Sequence, residues 1–324
     1  MHEARAALTA LLDSPLVRLA AVITPPDEDL GRLSGAAGLA GPARAAGVPL
    51  LRESDLNTPA TVARVRALDP DLLVVVGWTR LLGPELLSVP RHGCVGFHAS
   101  LLPRHRGRAP VNWAILRGES ATGNTMMMLD PGADTGDIVD QRTVTIGPDD
   151  TCGTVYDRVA LAGAEMLLTQ LPALLTGTAP RRPQNPGEGD VLPRRTPGMG
   201  VLDWDRPAPA VHDWVRALTT PYPGAFSTLD GERVMVWRTR PPRGDEPCGP
   251  PGSVLAVEPS GVLVGTHGGS VLVTAMGGPD RPPQPAIRWS RRAGLRPGAR
   301  FAAVSPAVAR WVLGEGPRPE GVAR

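Results

Sequence analysis

Apolar residues follow two rhythms along this chain. In the first half, short continuous apolar runs alternate with segments whose apolar positions recur every three to four residues. Glu3 to Leu12 has the helical period and stops at Asp13-Ser14-Pro15, ahead of an apolar run at Val17 to Ile23. A helical stretch at Gly41 to Ala46 precedes Val48-Pro49-Leu50-Leu51, and a helix from Thr58 to Leu68 leads into Leu72 to Val76. Runs that are apolar throughout predict strands covered on both faces, hence a parallel sheet flanked by helices. Met126 to Leu129 reads as a further strand and Thr154 to Leu168 as an amphipathic helix. The three consecutive methionines read as core filler, because the flexible thioether packs into irregular apolar gaps.

The second rhythm begins after a Pro/Gly/Arg-rich stretch, Thr178 to Gly200, that reads as an interdomain connection. His212 to Leu218 is helical in pattern. Beyond it short strands alternate with turns, at Val234 to Trp237, Ser253 to Val257, Gly261 to Gly265 and Ser270 to Thr274, as in a small OB-like β-barrel. The expected organisation is a Rossmann-like α/β catalytic domain over residues 1–190, a linker over 191–205 and the barrel domain over 206–324. Such a sheet normally opens on a central strand, whereas this chain opens in a helix. The first strand is therefore expected to lie upstream, leaving ladder groups unpaired at about 1–3 kcal/mol each where buried.

Composition narrows the class only a little. With 324 residues, 42% of them hydrophobic, the chain can build two domain cores, and its net charge of +2 does not by itself imply a nucleic-acid or membrane partner. Every basic side chain is arginine, which carries no functional weight. Cys94, Cys152 and Cys248 lie far apart without metal-site spacing, so neither a zinc site nor a disulfide framework is indicated and a reducing cytoplasm is the default location. No run reaches the ~18 apolar residues of a membrane span.

The chemistry-bearing stretch runs from Gly93-Cys94-Val95-Gly96-Phe97-His98-Ala99-Ser100 through Leu101-Leu102-Pro103-Arg104-His105-Arg106-Gly107-Arg108-Ala109-Pro110-Val111-Asn112-Trp113. A strand there ends in a histidine and enters a Pro/Gly/Arg loop. Gly118-Glu119, Thr122-Gly123-Asn124-Thr125 and Leu129-Asp130-Pro131-Gly132-Ala133-Asp134-Thr135-Gly136-Asp137-Ile138 follow. On their own, an isolated His98 reads as structural, and Asp130, Asp134 and Asp137 read as turn residues. In this order and spacing the segments resemble the folate-dependent formyltransferases. The likeness extends through Leu202-Asp203-Trp204 and Pro221-Tyr222-Pro223-Gly224-Ala225-Phe226 to nearly the whole chain.

That resemblance implies transfer of a formyl group from 10-formyltetrahydrofolate to an amine, without a metal. It puts His98 and Asp134 on two of three catalytic positions, while the third, an asparagine in the family, is Gly96. Formyl transfer needs a donor to a developing oxyanion and an acceptor for the amine proton. A histidine paired with a carboxylate can supply both. Losing the asparagine would cost on the order of 100- to 1000-fold in turnover unless a water, Asn112, Asn124 or His98 substitutes. The resemblance also assigns the formyl donor to Arg80, Leu81, Leu82 and Pro84 with Asp130, Gly132 and Asp137, and the acceptor to Ser100, Leu102, Pro103, Arg106, Gly107 and Asn112. Arg104, Arg106 and Arg108 are suited to a carboxylate or phosphate.

The segment from Arg106 to Trp113 is most similar to amino-sugar formyltransferases, among them the formyltransferase domain of the bifunctional polymyxin-resistance enzyme. Methionyl-tRNA formyltransferases share the layout. Residues 25–47 carry only scattered arginines where those enzymes have a basic insertion, which favours a small-molecule amine, an amino sugar or amino-acid-derived metabolite, over initiator tRNA. Arg281, Arg288, Arg291, Arg292, Arg296 and Arg300 form a basic cluster that fits the tRNA alternative. A degenerate folate-binding or scaffold protein is the non-enzyme alternative.

Overall fold

The computed structural model describes residues 2–30, 38–185, 187–320 and 322, in two units. The first comprises Met1–Pro110, Ala121–Thr145 and Val155–Leu192, and the second Val111–Ser120, Ile146–Thr154 and Pro193–Arg324.

In the first unit the expected helices form with small shifts at their ends. The opening helix is His2–Asp13, and Pro59–Ala67 is capped by Thr58, whose hydroxyl accepts from the Thr61 N–H at 3.1 Å. Strands Val22–Thr24 and Leu50–Arg52 pair in parallel, as do Leu73–Val75 and Cys94–His98. The parallel pairing expected from the apolar runs is present in these two pairs, and two further strands add antiparallel ladders. Strand Ala121–Met128 runs antiparallel to Cys94–His98, and Ile138–Thr145, which the apolar pattern did not reveal, runs antiparallel to Ala121–Met128. A loop over 129–137 joins these last two, and such a hairpin needs no helical crossover. The methionines fill the core on both faces, with Met126 and Met128 in one cluster and Met127 in another.

The sheet is in two pieces. The pair Val22–Thr24 and Leu50–Arg52 is not joined to the four-stranded piece ordered 73–75, 94–98, 121–128, 138–145. A cavity of about 370 Å³ lies between their edges, lined by consecutive residues 19–23 on one side and 72–76 on the other. Leu72, Val74 and Val76 pack on Ala7, Leu11 and Leu171, while Leu73 and Val75 pack on Leu56, Val62 and Val65. The edges are thus covered above and below, as the uninterrupted apolar runs required. The strand expected from Val17 shrinks to Val22–Thr24 because the residues before it border the cavity rather than a paired neighbour.

Helix Cys152–Leu175 is the one described helix with the length and mean hydropathy to cross a membrane. Its Met166, Leu167, Leu171 and Leu174 are core residues of the first unit.

The second unit carries an antiparallel sheet ordered Val254–Glu258, Gly261–Thr266, Gly269–Gly277, Glu232–Thr239, Ala225–Leu229, so all four strands read from the sequence form. The end strands are not paired with each other among the described residues, so the expected barrel is seen as an open sheet. Beside it Arg195 is stacked between Trp113, at 4.7 Å, and Trp214, at 5.1 Å, and donates to the Val312 and Met199 carbonyls. Burial pulls its pKa down to about 9, and the two ring faces offset part of that desolvation.

His212 is buried in the helix Ala208–Leu218. Its Nε2 donates to the Pro148 carbonyl at 3.1 Å, and Nδ1 lies 2.7 Å from the Thr239 hydroxyl. Burial holds its pKa below the ordinary imidazole value, against the opposing pull of the Pro148 carbonyl. The fold thus favours the neutral ring, a contribution present above the unfolded pKa and lost as pH falls towards the folded one. Denaturant unfolding from about pH 8 to about pH 5 should therefore show a larger stability loss for the native chain than for His212→Gln.

Candidate active site

Strand Cys94–His98 places Gly96 and His98 on one face, because side chains two apart along a strand point the same way. His98 is 7% exposed. Its Nε2 is 2.7 Å from the His105 carbonyl oxygen, which can only accept, so the neutral ring carries its proton on Nε2. Nδ1 faces Asp134 Oδ1 at 3.4 Å. The loop over 129–137 delivers Asp134, which has φ 57°, and its Oδ2 accepts from the Gly107 N–H at 2.9 Å. Two residues far apart in sequence are therefore brought together, and the backbone of one short loop engages both.

The start of that loop is built from polar groups that satisfy each other. Thr125 Oγ1 donates to the Ser100 carbonyl at 2.7 Å and accepts from the Leu102 N–H at 3.1 Å, while Gln141 Nε2 donates to the Leu102 carbonyl at 2.8 Å. Ser100 Oγ donates to the Arg104 carbonyl at 2.7 Å. Ser100 and Leu102 are buried, and Pro103 lies between them and the turn.

Several residues expected to meet a ligand have their polar groups engaged within the chain. Arg106 is buried and donates from Nε to the Asp134 carbonyl, from Nη1 to the Glu188 carbonyl and from Nη2 to Gln184 Oε1. Arg104 and Arg108 remain exposed. The Asn112 amide donates to the Ala217 carbonyl at 2.6 Å and that of Asn124 to the Val159 carbonyl at 2.9 Å, so one N–H of each is engaged within the chain. Asp130 caps its own turn, accepting from the Gly132 N–H and the Thr135 hydroxyl. The Asp137 carbonyl accepts from the Met128 N–H. Gly132 sits where a Cβ would collide with Thr135.

A Cβ at Gly96 would stand 2.6 Å from Leu129 Cδ2 and 3.1 Å from its Cγ. Leu129 thus fills the space in front of the glycine. Beside this strand the loop from Thr79 to Pro84 is pinned by Asn57, whose amide donates to the Leu81 carbonyl at 2.9 Å and whose Oδ1 accepts from the Gly83 N–H at 2.6 Å. Leu82 is buried in the core, Pro84 starts the helix Pro84–Leu87, Arg80 pairs with Asp55 at 3.6 Å, and Leu81 is 55% exposed.

Residues 2–171 match the profile of the family described as formyl transferase, and residues 195–293 that of the formyl transferase C-terminal domain. The chain belongs to the formyl transferase family. Among its relatives, the methionyl-tRNA formyltransferase of Geobacter metallireducens is 38% identical over 257 residues, covering 78% of this chain and 81% of the relative. That of Myxococcus xanthus is 41% identical over 258 residues, covering 78% and 80%. Among solved structures, HypX from Aquifex aeolicus in complex with tetrahydrofolic acid shares the fold, with TM-score 0.59 and 24% identity over 76% of this chain; the match spans 43% of that longer protein.

The co-substrate of this formyltransferase is 10-formyltetrahydrofolate. The loop from Thr79 to Pro84 presents the exposed Leu81 side chain on a backbone held by Asn57. Sequence reasoning did not find Asn57, Gln141, Gln184, Glu188 or Asp190 as parts of this site. Each works through backbone groups distant in sequence, and 178–200 reads by composition as a connection. Cys94 and Cys152, pushed up to about 12 by burial, are poor nucleophiles.

Because Leu129 occupies the space at Gly96, Gly96→Asn should lower stability by about 1–3 kcal/mol through overpacking. In a Leu129→Ala background the same substitution should cost measurably less, as read by a double-mutant cycle of thermal melts.

Proposed function

We propose that this formyltransferase acts on the amino group of an aminoacyl-tRNA, as its methionyl-tRNA formyltransferase relatives are named to do. The observation that carries this reading is identity of 38% along about four fifths of such an enzyme. It revises the sequence-based preference for a small-molecule amine. That preference rested partly on the segment from Arg106 to Trp113, where Arg106 and Asn112 are engaged within the chain. It rested also on residues 25–47, of which 31–37 lie outside the described residues.

Charge supports the same reading. Helix Ala286–Ala293 carries Arg288, Arg291 and Arg292, all exposed, and has no acidic residue. Arg281, Arg296 and Arg300 are exposed nearby in sequence. Arginines on such a face can neutralise phosphates and make binding fall with salt.

In this reading the formyl donor, when bound, supplies an activated formyl group. His98 holds one proton on Nε2 against the His105 carbonyl, and Nδ1 is the nitrogen that exchanges a proton beside Asp134. The Asp134 carboxylate, oriented by the Gly107 N–H, stabilises the imidazolium and accepts the proton shed by the attacking amine, directly or through an ordered water; as the new C–N bond forms, the formyl–nitrogen bond of the donor breaks and the released nitrogen takes up one proton, which balances the transfer. Gly96 offers no side-chain donor and Nε2 is engaged by the His105 carbonyl, so stabilisation of charge on the formyl oxygen falls to the Nδ1–H of the protonated His98 ring.

Purified protein incubated with 10-formyltetrahydrofolate and methionyl-tRNA should yield formylmethionyl-tRNA, with little product from amino sugars or free amino acids. Preferential formylation of an amino sugar would instead establish the small-molecule acceptor. His98→Ala and Asp134→Asn should each reduce turnover by about 100-fold or more while leaving the melting temperature within a few degrees. Changing Arg288, Arg291 and Arg292 together to Gln should raise KM for the tRNA and lower the slope of log KM against log salt by about three, with KM for the formyl donor unchanged.

A further inference from the structure

Asp190 lies in the stretch whose composition reads as a connection, yet it grips the catalytic loop from two directions. Its Oδ1 accepts from the His105 N–H at 2.7 Å, and its backbone carbonyl accepts from the Arg106 N–H at 3.0 Å. Its Oδ2 is 4.0 Å from His105 Nε2. The two backbone donors belong to the peptide units on either side of the His105 Cα.

That Cα is in an uncommon conformation. His105 has φ 59°, a region that side-chain-bearing residues seldom occupy without being held there. The carbonyl of the same residue accepts from His98 Nε2 at 2.7 Å. If the backbone at 105 relaxed to negative φ, the peptide plane carrying that carbonyl would turn. His98 would then lose the acceptor that fixes its proton on Nε2 and leaves Nδ1 towards Asp134.

The surrounding strap is shaped for this grip. Val191–Leu192 pairs in parallel with Arg106–Gly107. Gly189 has φ 85°, and a Cβ there would collide with the Pro103 carbonyl, so only glycine lets the strap approach this closely. Gly107, next in the loop, is the residue whose N–H holds Asp134.

We propose that Asp190 is a positioning residue for formyl transfer. It locks the left-handed His105 peptide and thereby sets the tautomer of His98 and the direction of its Nδ1. The inference rests on the reading of His98 and Asp134 as the catalytic pair. It reaches the reaction only through hydrogen-bond acceptance, so asparagine, which keeps the acceptor oxygen, should substitute for it.

The direct test is ¹⁵N NMR of the histidine side chains in the full-length protein, at a pH where the His98 ring is neutral. The native chain should show His98 as a single Nε2–H tautomer, and Asp190→Asn should keep it. Asp190→Ala should show a tautomer mixture, with kcat down by about 10- to 100-fold and KM for 10-formyltetrahydrofolate within about twofold. An unchanged Nε2–H tautomer in Asp190→Ala overturns the proposal, as does its loss in Asp190→Asn. Should the alanine variant fail to fold, Asp190→Ser, whose shorter hydroxyl should leave a mixed tautomer, replaces it under the same criterion. A tautomer mixture with undiminished formyl transfer would support the positioning by Asp190 and remove His98 from catalysis, which separates the two readings.

Discussion

His98 and Asp134 are held by peptide groups of one loop, and the geometry of the pair depends on how that loop is fixed. A carbonyl at His105 and an N–H at Gly107 fall two residues apart, one accepting from the imidazole and the other donating to the carboxylate. Buried polar groups without partners are costly, so each of these groups must be matched. Matching them sets the ring's proton and the carboxylate's direction together. Any displacement of the loop would disturb both members of the pair.

Holding such a loop takes more than its own sequence. One side is fixed by Thr125 and Gln141, which take the backbone at Ser100 and Leu102. The other is fixed by Gln184 and Glu188, which accept two hydrogen bonds from the Arg106 guanidinium, and by Val191–Leu192, which pairs with Arg106–Gly107. Arg106 thus illustrates how a fork suited to anions can serve as an internal crosslink. Its charge is spent on two carbonyls and an amide oxygen, where it orders the chain rather than a ligand.

Gly96 belongs to the same economy of space. In front of it Leu129 closes the gap that a side chain would need. Glycine and leucine together make a close-packed strand end. The absence of a side-chain amide at position 96 is therefore built into the packing around it.

Much of this was legible from residue order. Continuous apolar runs from Leu72 to Val76 and at Met126 to Met128 announced strands with apolar packing on both faces, which the core clusters show. The resemblance carried by the motifs around His98 and Asp134 gave the family and the formyl donor, while the acceptor it favoured, a small-molecule amine, was revised. What the sequence did not reveal has a common physical cause. The direction of strand Ala121–Met128, the hairpin to Ile138–Thr145 and the gap between 19–23 and 72–76 depend on which edges meet in space. The roles of Asn57, Gln184, Glu188 and Asp190 depend on hydrogen bonds to backbone groups, which every residue carries and no side-chain pattern distinguishes. Sequence by itself determined which side chains are candidates for the chemistry; only the tertiary structure decided how each is engaged, because the partners of a polar group depend on which distant segments meet in space.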